Sequence, residues 1–162
     1  MNSLARVKRD LIAGLDERRS EARAFVQTLP PTLSVHADSD WTARDLIIHL
    51  TAIEADMITA LHCAIEGEPF AVDLRGGASV KELYELRRRD KADLSWGGLL
   101  AEWDRVRDQL RGVLLAFPPA LMERRFDNPF FQPYTLIEAV RACSAHEARH
   151  LAEIRAAAES NS

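Results

Sequence analysis

Apolar residues recur at intervals of three and four along most of the chain, and this spacing predicts α-helices. No segment alternates apolar and polar residues for long, so we expect no strands. The pattern and its breaks predict four long helices and one short helix, over about 3–29, 42–67, 80–91, 99–117 and 135–158. Helices of these lengths predict an all-α protein, a four-helix bundle with one additional short helix.

Local signals mark where several of these helices begin. A Ser or Thr stands three residues before an acidic residue in the capping-box pairs Thr42 with Asp45, Ser79 with Glu82, and Thr135 with Glu138. The adjacent residues Gly97 and Gly98 weaken a helix, so we place the start of the fourth helix after them. The connection between the second and fourth helices is long enough to cross the bundle.

Composition narrows the class of protein. The 162 residues suit a single domain over 1–162, and 47% are apolar against 28% charged, as in ordinary globular proteins. The formal net charge of −4 gives no basic excess, so we expect no nucleic-acid partner. We interpret the basic run 87–89 as a solvated helix face.

Two observations suggest the compartment. Cys63 and Cys143 are the two cysteines and form no disulfide framework, which favours a reducing environment. Charges come too early at the N-terminus for a signal peptide, and no apolar run approaches the roughly 20 residues that span a bilayer. We therefore expect a cytoplasmic protein with no membrane partner.

The histidines carry the candidate chemistry. His146 and His150 are four residues apart, so their side chains share one face of the last helix. That face also carries the apolar residues of the helix, so both imidazoles point toward the core. Neutral imidazoles in such a setting suit a divalent transition metal ion, Zn²⁺ or Ni²⁺. The alternative is a pair of structural histidines.

A third ligand has to come from upstream, because little chain follows His150. His49 is the best candidate, since it lies at the edge of the apolar stripe of the second helix. We interpret His36 as an exposed loop residue and His62 as a residue on the polar side of its helix.

Two further residues share the face of the paired histidines. Cys143 is either a metal ligand, in a Cys-His-His set with His146 and His150, or a small apolar core residue. Glu147 is the candidate catalytic residue, as a base on metal-bound water or as a partner of a ligand. Its alternative is a boundary glutamate paired with an arginine. The string His146-Glu147-Ala148-Arg149-His150 fits the zinc-protease pattern H-E-x-x-H, but positions 153 and 156 lack the metzincin extension.

Two segments resemble motifs of a known family. The run from Trp41 to Leu50, WTARDLIIHL, is similar to the W-[ST]-x-x-D-x-x-x-H-L segment of the DinB/YfiT-like superfamily. The pair His146 and His150 resembles the second motif of that family. The two motifs stand in the family's order and at its distance, and the helix lengths match along nearly the whole chain.

The resemblance implies several properties together. It implies a bundle of up-down-down-up topology that often forms a homodimer. It implies a metal site held by His49, His146 and His150 with open positions for water or substrate. Characterised relatives include bacillithiol and mycothiol S-transferases and the mycothiol-dependent maleylpyruvate isomerase.

Three functions follow as hypotheses. The first is a metal-dependent transferase that joins a low-molecular-weight thiol to a small electrophilic molecule. The second is a metal-dependent hydrolase with Glu147 as the base. The third is a non-catalytic bundle that binds an apolar small molecule, with Trp41, Phe130 and Phe131 as its lining.

Overall fold

Five α-helices account for most of the residues that the computed structural model describes, which are 3–77 and 79–161. The helices are α1 (Ser3–Val26), α2 (Ala43–Glu66), α3 (Val80–Asp90), α4 (Trp96–Ala116) and α5 (Leu136–Ser160). A short 3₁₀ turn covers Pro119–Leu121. Within these residues the extended pairings are isolated bridges, Ser34 with Thr42 and Phe126 with Tyr134. The predicted all-α class is confirmed.

The predicted helix starts are set by side-chain caps. Thr42 and Thr135 each form a complete capping box, with Asp45 and Glu138 respectively. At the end of α2, Gly67 takes the left-handed conformation with a φ of 77°, which glycine adopts without steric cost. The two helices that carry the candidate histidines therefore have their starts fixed by local sequence.

Two boundaries differ from the prediction. Helix α1 ends at Val26 rather than near residue 29, and Thr28 closes the chain into a turn by donating its hydroxyl to the carbonyl of Phe25 over 2.7 Å. Helix α4 starts at Trp96 and includes both glycines, because Ser95 accepts the N–H of Gly98 at 3.0 Å. The cap compensates for the weak helix propensity of glycine.

Contacts between helices give their directions. Along α1, Lys8 reaches the carbonyl of Leu115, and Arg19 reaches the carbonyl of Trp103. The earlier residue of α1 contacts the later residue of α4, and the later residue of α1 contacts the earlier one, so these two helices are antiparallel.

The remaining long helices follow from their shared apolar clusters. Leu46 of α2 packs in the same cluster as Leu99 of α4 and Ile154 of α5, whereas the more distal Met57 and Leu110 share the other cluster. Helices α2 and α4 are therefore parallel, and α5 runs against both. The order is up-down-down-up, as the resemblance implied.

The core consists of two apolar clusters with a charged layer between them. Four buried residues form this layer, one from each long helix: Arg19, Glu54, Arg107 and Glu147. Each stands in sequence between a residue of one cluster and a residue of the other. We refer to these four residues as the ionic layer.

Helix α2 is long and apolar enough to cross a membrane by length and composition alone, with a mean hydropathy of 1.4. We had expected no apolar segment of that length from the sequence. The structure places this helix inside the bundle, in contact with α3, α4 and α5, and 61% of its apolar window is buried. Its apolar character is that of a core helix.

Candidate metal centre

Three histidines from two helices meet at one point. The Nε2 atoms of His49 and His146 are 3.0 Å apart, and those of His146 and His150 are 3.2 Å apart. Ligand atoms of all three side chains lie within 4.8 Å of one another. The structure therefore brings together the three residues proposed as ligands, which we call the histidine cluster.

Helix geometry accounts for this meeting. The capping box fixes the start of α2, which places His49 two turns in, on the side facing α5. His146 and His150 are one turn apart on α5 and project toward α2 together. His49 is 7% exposed, whereas the other two are half-buried. The cluster therefore has a buried side at α2 and an open side at α5.

A carboxylate orients the outermost histidine. The Nδ1 atom of His150 lies 2.7 Å from Glu153 Oε2 and donates a hydrogen bond to it. The Nε2 lone pair is then directed at the cluster. His36 approaches the same carboxylate, with its Nε2 3.5 Å from Oε2. A carboxylate behind a ligand histidine is the usual support of metal sites.

His36 is therefore not the exposed loop residue that we expected. It is half-buried, because the loop before α2 folds back along α5 and brings the ring to Glu153. His62 is exposed on α2, as predicted.

The surroundings keep the imidazoles neutral. Burial lowers the pKa of His49 to about 3 and that of His146 to about 4, and the neighbouring imidazoles add to the effect. Burial also lowers the pKa of His150, although Glu153 opposes it. Neutral rings with free lone pairs are the form that binds a metal ion.

Aromatic rings cover the buried flank of the cluster. The ring centroids of Tyr84 and Trp41 lie 4.6 Å and 5.9 Å from that of His49, both edge-on. The ring centroid of Phe130, in the loop before α5, is 5.6 Å from that of His146. The isolated bridge between Phe126 and Tyr134 closes the loop that presents Phe130.

The donor set fits a divalent transition metal. Tetrahedral zinc with bonds of about 2.0–2.1 Å to nitrogen spaces its ligand nitrogens about 3.3 Å apart. The observed spacings of 3.0 and 3.2 Å agree to within a few tenths of an ångström. His150 Nε2 carries no proton, so its lone pair is available to a cation, and the other two Nε2 atoms lie close enough to bind the same ion.

Glu147 lies in the ionic layer and is not part of the histidine cluster. Its Oε1 accepts a hydrogen bond from Arg19 at 3.0 Å, and its Oε2 accepts one from Arg107. Burial alone raises the pKa of Glu147, but the two arginines outweigh it and hold the pKa below its ordinary value. Of our two interpretations, the structure shows a glutamate paired with arginine, which is a poor proton acceptor.

Cys143 packs inside one of the apolar clusters and does not join the histidine cluster. Burial raises the pKa of its thiol, which therefore stays protonated. The structure thus shows Cys143 as a core residue, the second of the two alternatives.

Only Arg89 of the basic run on α3 is exposed, so the run is not the wholly solvated face that we expected. Arg87 and Arg88 have side chains only 16% and 17% exposed, and they pair with Asp56 and Asp45 of α2 at 2.7 Å and 2.9 Å. These ion pairs fasten the short helix over α2. They hold Tyr84, one turn earlier, against His49.

Three contributors to the site were not assigned a role from the sequence. Tyr84 lies on α3, whose sequence is mainly charged residues, and no local pattern links it to His49. Glu153 was detectable, because it stands three residues after His150 on the same helix face. Arg149 was also overlooked, although its Nη2 lies 3.3 Å from His150 Nε2.

These features define a helical bundle protein with a three-histidine cluster between two helices. The chain belongs to the DinB superfamily, whose sequence model matches residues 14–154. A solved structure of an uncharacterised protein from Escherichia coli UTI89 is similar, with a TM-score of 0.73 and 20% identity over 95% of this chain and 94% of that chain. That likeness confirms the fold. A comparison with curated proteins finds no match.

Proposed function

We propose that this protein is a divalent-metal-dependent enzyme that transfers a low-molecular-weight thiol to a small electrophilic molecule. The observation that carries the proposal is the convergence of three neutral imidazoles with one open side. His49, His146 and His150 would hold the ion, zinc or nickel. Three neutral ligands leave the ion its full charge, so when bound it lowers the pKa of a thiol or water beside it.

The residues around the cluster have distinct tasks in this proposal. Glu153 accepts a hydrogen bond from His150 Nδ1 and so keeps that ring in one orientation. Tyr84 and Trp41 keep water from the α2 side, which leaves the α5 side for the reactants. In the transfer, the sulfur forms a bond to the electrophilic carbon, the leaving group departs with its electron pair, and the thiol proton passes to solvent.

A cleft next to the cluster suits the apolar part of a substrate. It measures about 380 Å³ and lies between the segment before α3 and the loop before α5. Phe131 lines it, is 67% exposed and has a φ of 61°, an uncommon backbone conformation for an aromatic residue. Its neighbour Phe130 contacts His146, so the loop that lines the cleft also reaches the histidine cluster.

The test is thiol conjugation by protein loaded with Zn²⁺ or Ni²⁺. We expect turnover of a small electrophile such as a chloronitrobenzene by the wild type and loss of that turnover in His150→Ala. His62→Ala is the matched control, because His62 is exposed on α2 and away from the cluster. Equal activity of the His150→Ala variant would refute the metal mechanism.

The remaining expectations belong to the same proposal. We propose a cytoplasmic homodimer with no nucleic-acid partner, as composition and family resemblance implied. Sedimentation equilibrium should return twice the mass of one chain. A mass equal to one chain at micromolar concentration would remove the dimer from the proposal.

A further inference from the structure

Arg149 stands at the open side of the histidine cluster. It lies between His146 and His150 in sequence, and its Nη2 atom is 3.3 Å from His150 Nε2. Because His150 Nδ1–H donates to Glu153, the Nε2 lone pair accepts a hydrogen bond from this guanidinium in the metal-free protein, and a bound metal ion would take its place. A permanent positive charge therefore borders the proposed reaction centre.

This charge has no counter-ion within the described part of the chain. The acidic residues around the cluster have other partners: Glu153 contacts the rings of His150 and His36, Asp56 pairs with Arg87, and Asp45 pairs with Arg88. No carboxylate of the described residues pairs with Arg149, whose side chain is exposed. An exposed arginine with no carboxylate paired to it is suited to bind an anion from solution.

We propose that Arg149 binds the carboxylate of a small anionic substrate and thereby holds the rest of that molecule at the histidine cluster. This inference rests on the proposed function, because it takes the cluster to be the reaction centre. The planar guanidinium donates two parallel hydrogen bonds to a carboxylate. One unpaired guanidinium balances the single charge of a carboxylate, whereas a phosphate monoester carries nearly two charges. In this proposal the apolar remainder extends toward the cleft lined by Phe131, whose neighbour Phe130 contacts His146.

The test measures binding of benzoate and of its neutral analogue benzamide by calorimetry or ligand-observed NMR. Both ligands are titrated into zinc-loaded and zinc-free protein. We expect Arg149→Met to weaken benzoate binding roughly ten- to a hundredfold, the usual effect of losing a charged hydrogen bond. Benzamide binding should stay the same. Arg149→Lys should retain part of the affinity, because it keeps the positive charge but not the two parallel hydrogen bonds of the planar guanidinium.

Arg141→Met is the matched control, since Arg141 is an exposed arginine two turns earlier on α5. The inference is overturned if Arg149→Met binds benzoate as the wild type does, or if the wild type does not prefer benzoate to benzamide. Zinc content is measured in every variant. A protein that binds no zinc but still needs Arg149 for benzoate would contradict the proposed function and support the anion site.

Discussion

Replacing Glu147 with glutamine separates a structural role from a catalytic one. The substitution keeps the shape of the side chain and removes one negative charge from the ionic layer. As the wild type stands, two carboxylates balance two guanidinium groups, and the four side chains are 4–7% exposed. Without the charge of Glu147, Arg19 and Arg107 face only Glu54, and one positive charge is left buried and unbalanced.

The burial of the ionic layer determines how much stability the substitution removes. Removing one partner from a buried ion pair costs about 3–5 kcal/mol, and burial this deep gives no solvent screening to reduce it. A protein of this size loses roughly 2–4 °C of melting temperature for each kcal/mol, so we expect Tm to fall by about 6–20 °C. Turnover per folded, metal-loaded molecule should remain within a few-fold of the wild type.

Two measurements on the same preparations check this prediction. Denaturant unfolding gives the stability change, and thiol-conjugation rates normalised to bound metal give the catalytic change. Glu159→Gln is the control, because it removes an exposed charge from the same helix. A Glu147→Gln protein that keeps its stability and loses its turnover would restore Glu147 as the catalytic base.

Three further predictions follow. Glu153→Gln should weaken zinc binding roughly 10–100-fold in chelator competition, because a neutral amide accepts the His150 Nδ1–H bond more weakly than a carboxylate and makes the ring a less basic ligand. In the native protein Ellman's reagent should modify the half-buried Cys63 but not the buried Cys143, and equal labelling would contradict the packing. The unfolding free energy of metal-free protein should fall as pH drops from about 6.5 toward 4, because burial lowers the pKa of His49 to about 3 and of His146 to about 4. Over that range the unfolded chain binds more protons than the folded one, and a flat pH profile would contradict the prediction.

The fold was predictable from local signals. Capping boxes at Thr42 and Thr135 and the glycine at the end of α2 are short patterns whose geometry depends on a few neighbouring residues. The pairing of His146 with His150 is likewise a property of one helix. These features required no knowledge of how distant parts of the chain meet.

Other features depend on contacts between distant segments. The ionic layer joins residues separated by 35 to 128 positions, and no local pattern showed that Arg19 would face both Glu54 and Glu147. The half-buried arginines of α3 looked solvated, because the acids that pair with them belong to α2. Sequence periodicity identifies which face of a helix is buried but not which residue of another helix it meets.

The most direct test of the metal centre is elemental analysis of the purified protein. We predict one equivalent of zinc or nickel per chain in the wild type and in His62→Ala. Metal should be lost from His49→Ala and from His150→Ala, with both variants still helical by circular dichroism. A wild-type protein that is metal-free and takes up neither ion, or histidine variants that keep a full equivalent, would contradict the metal centre.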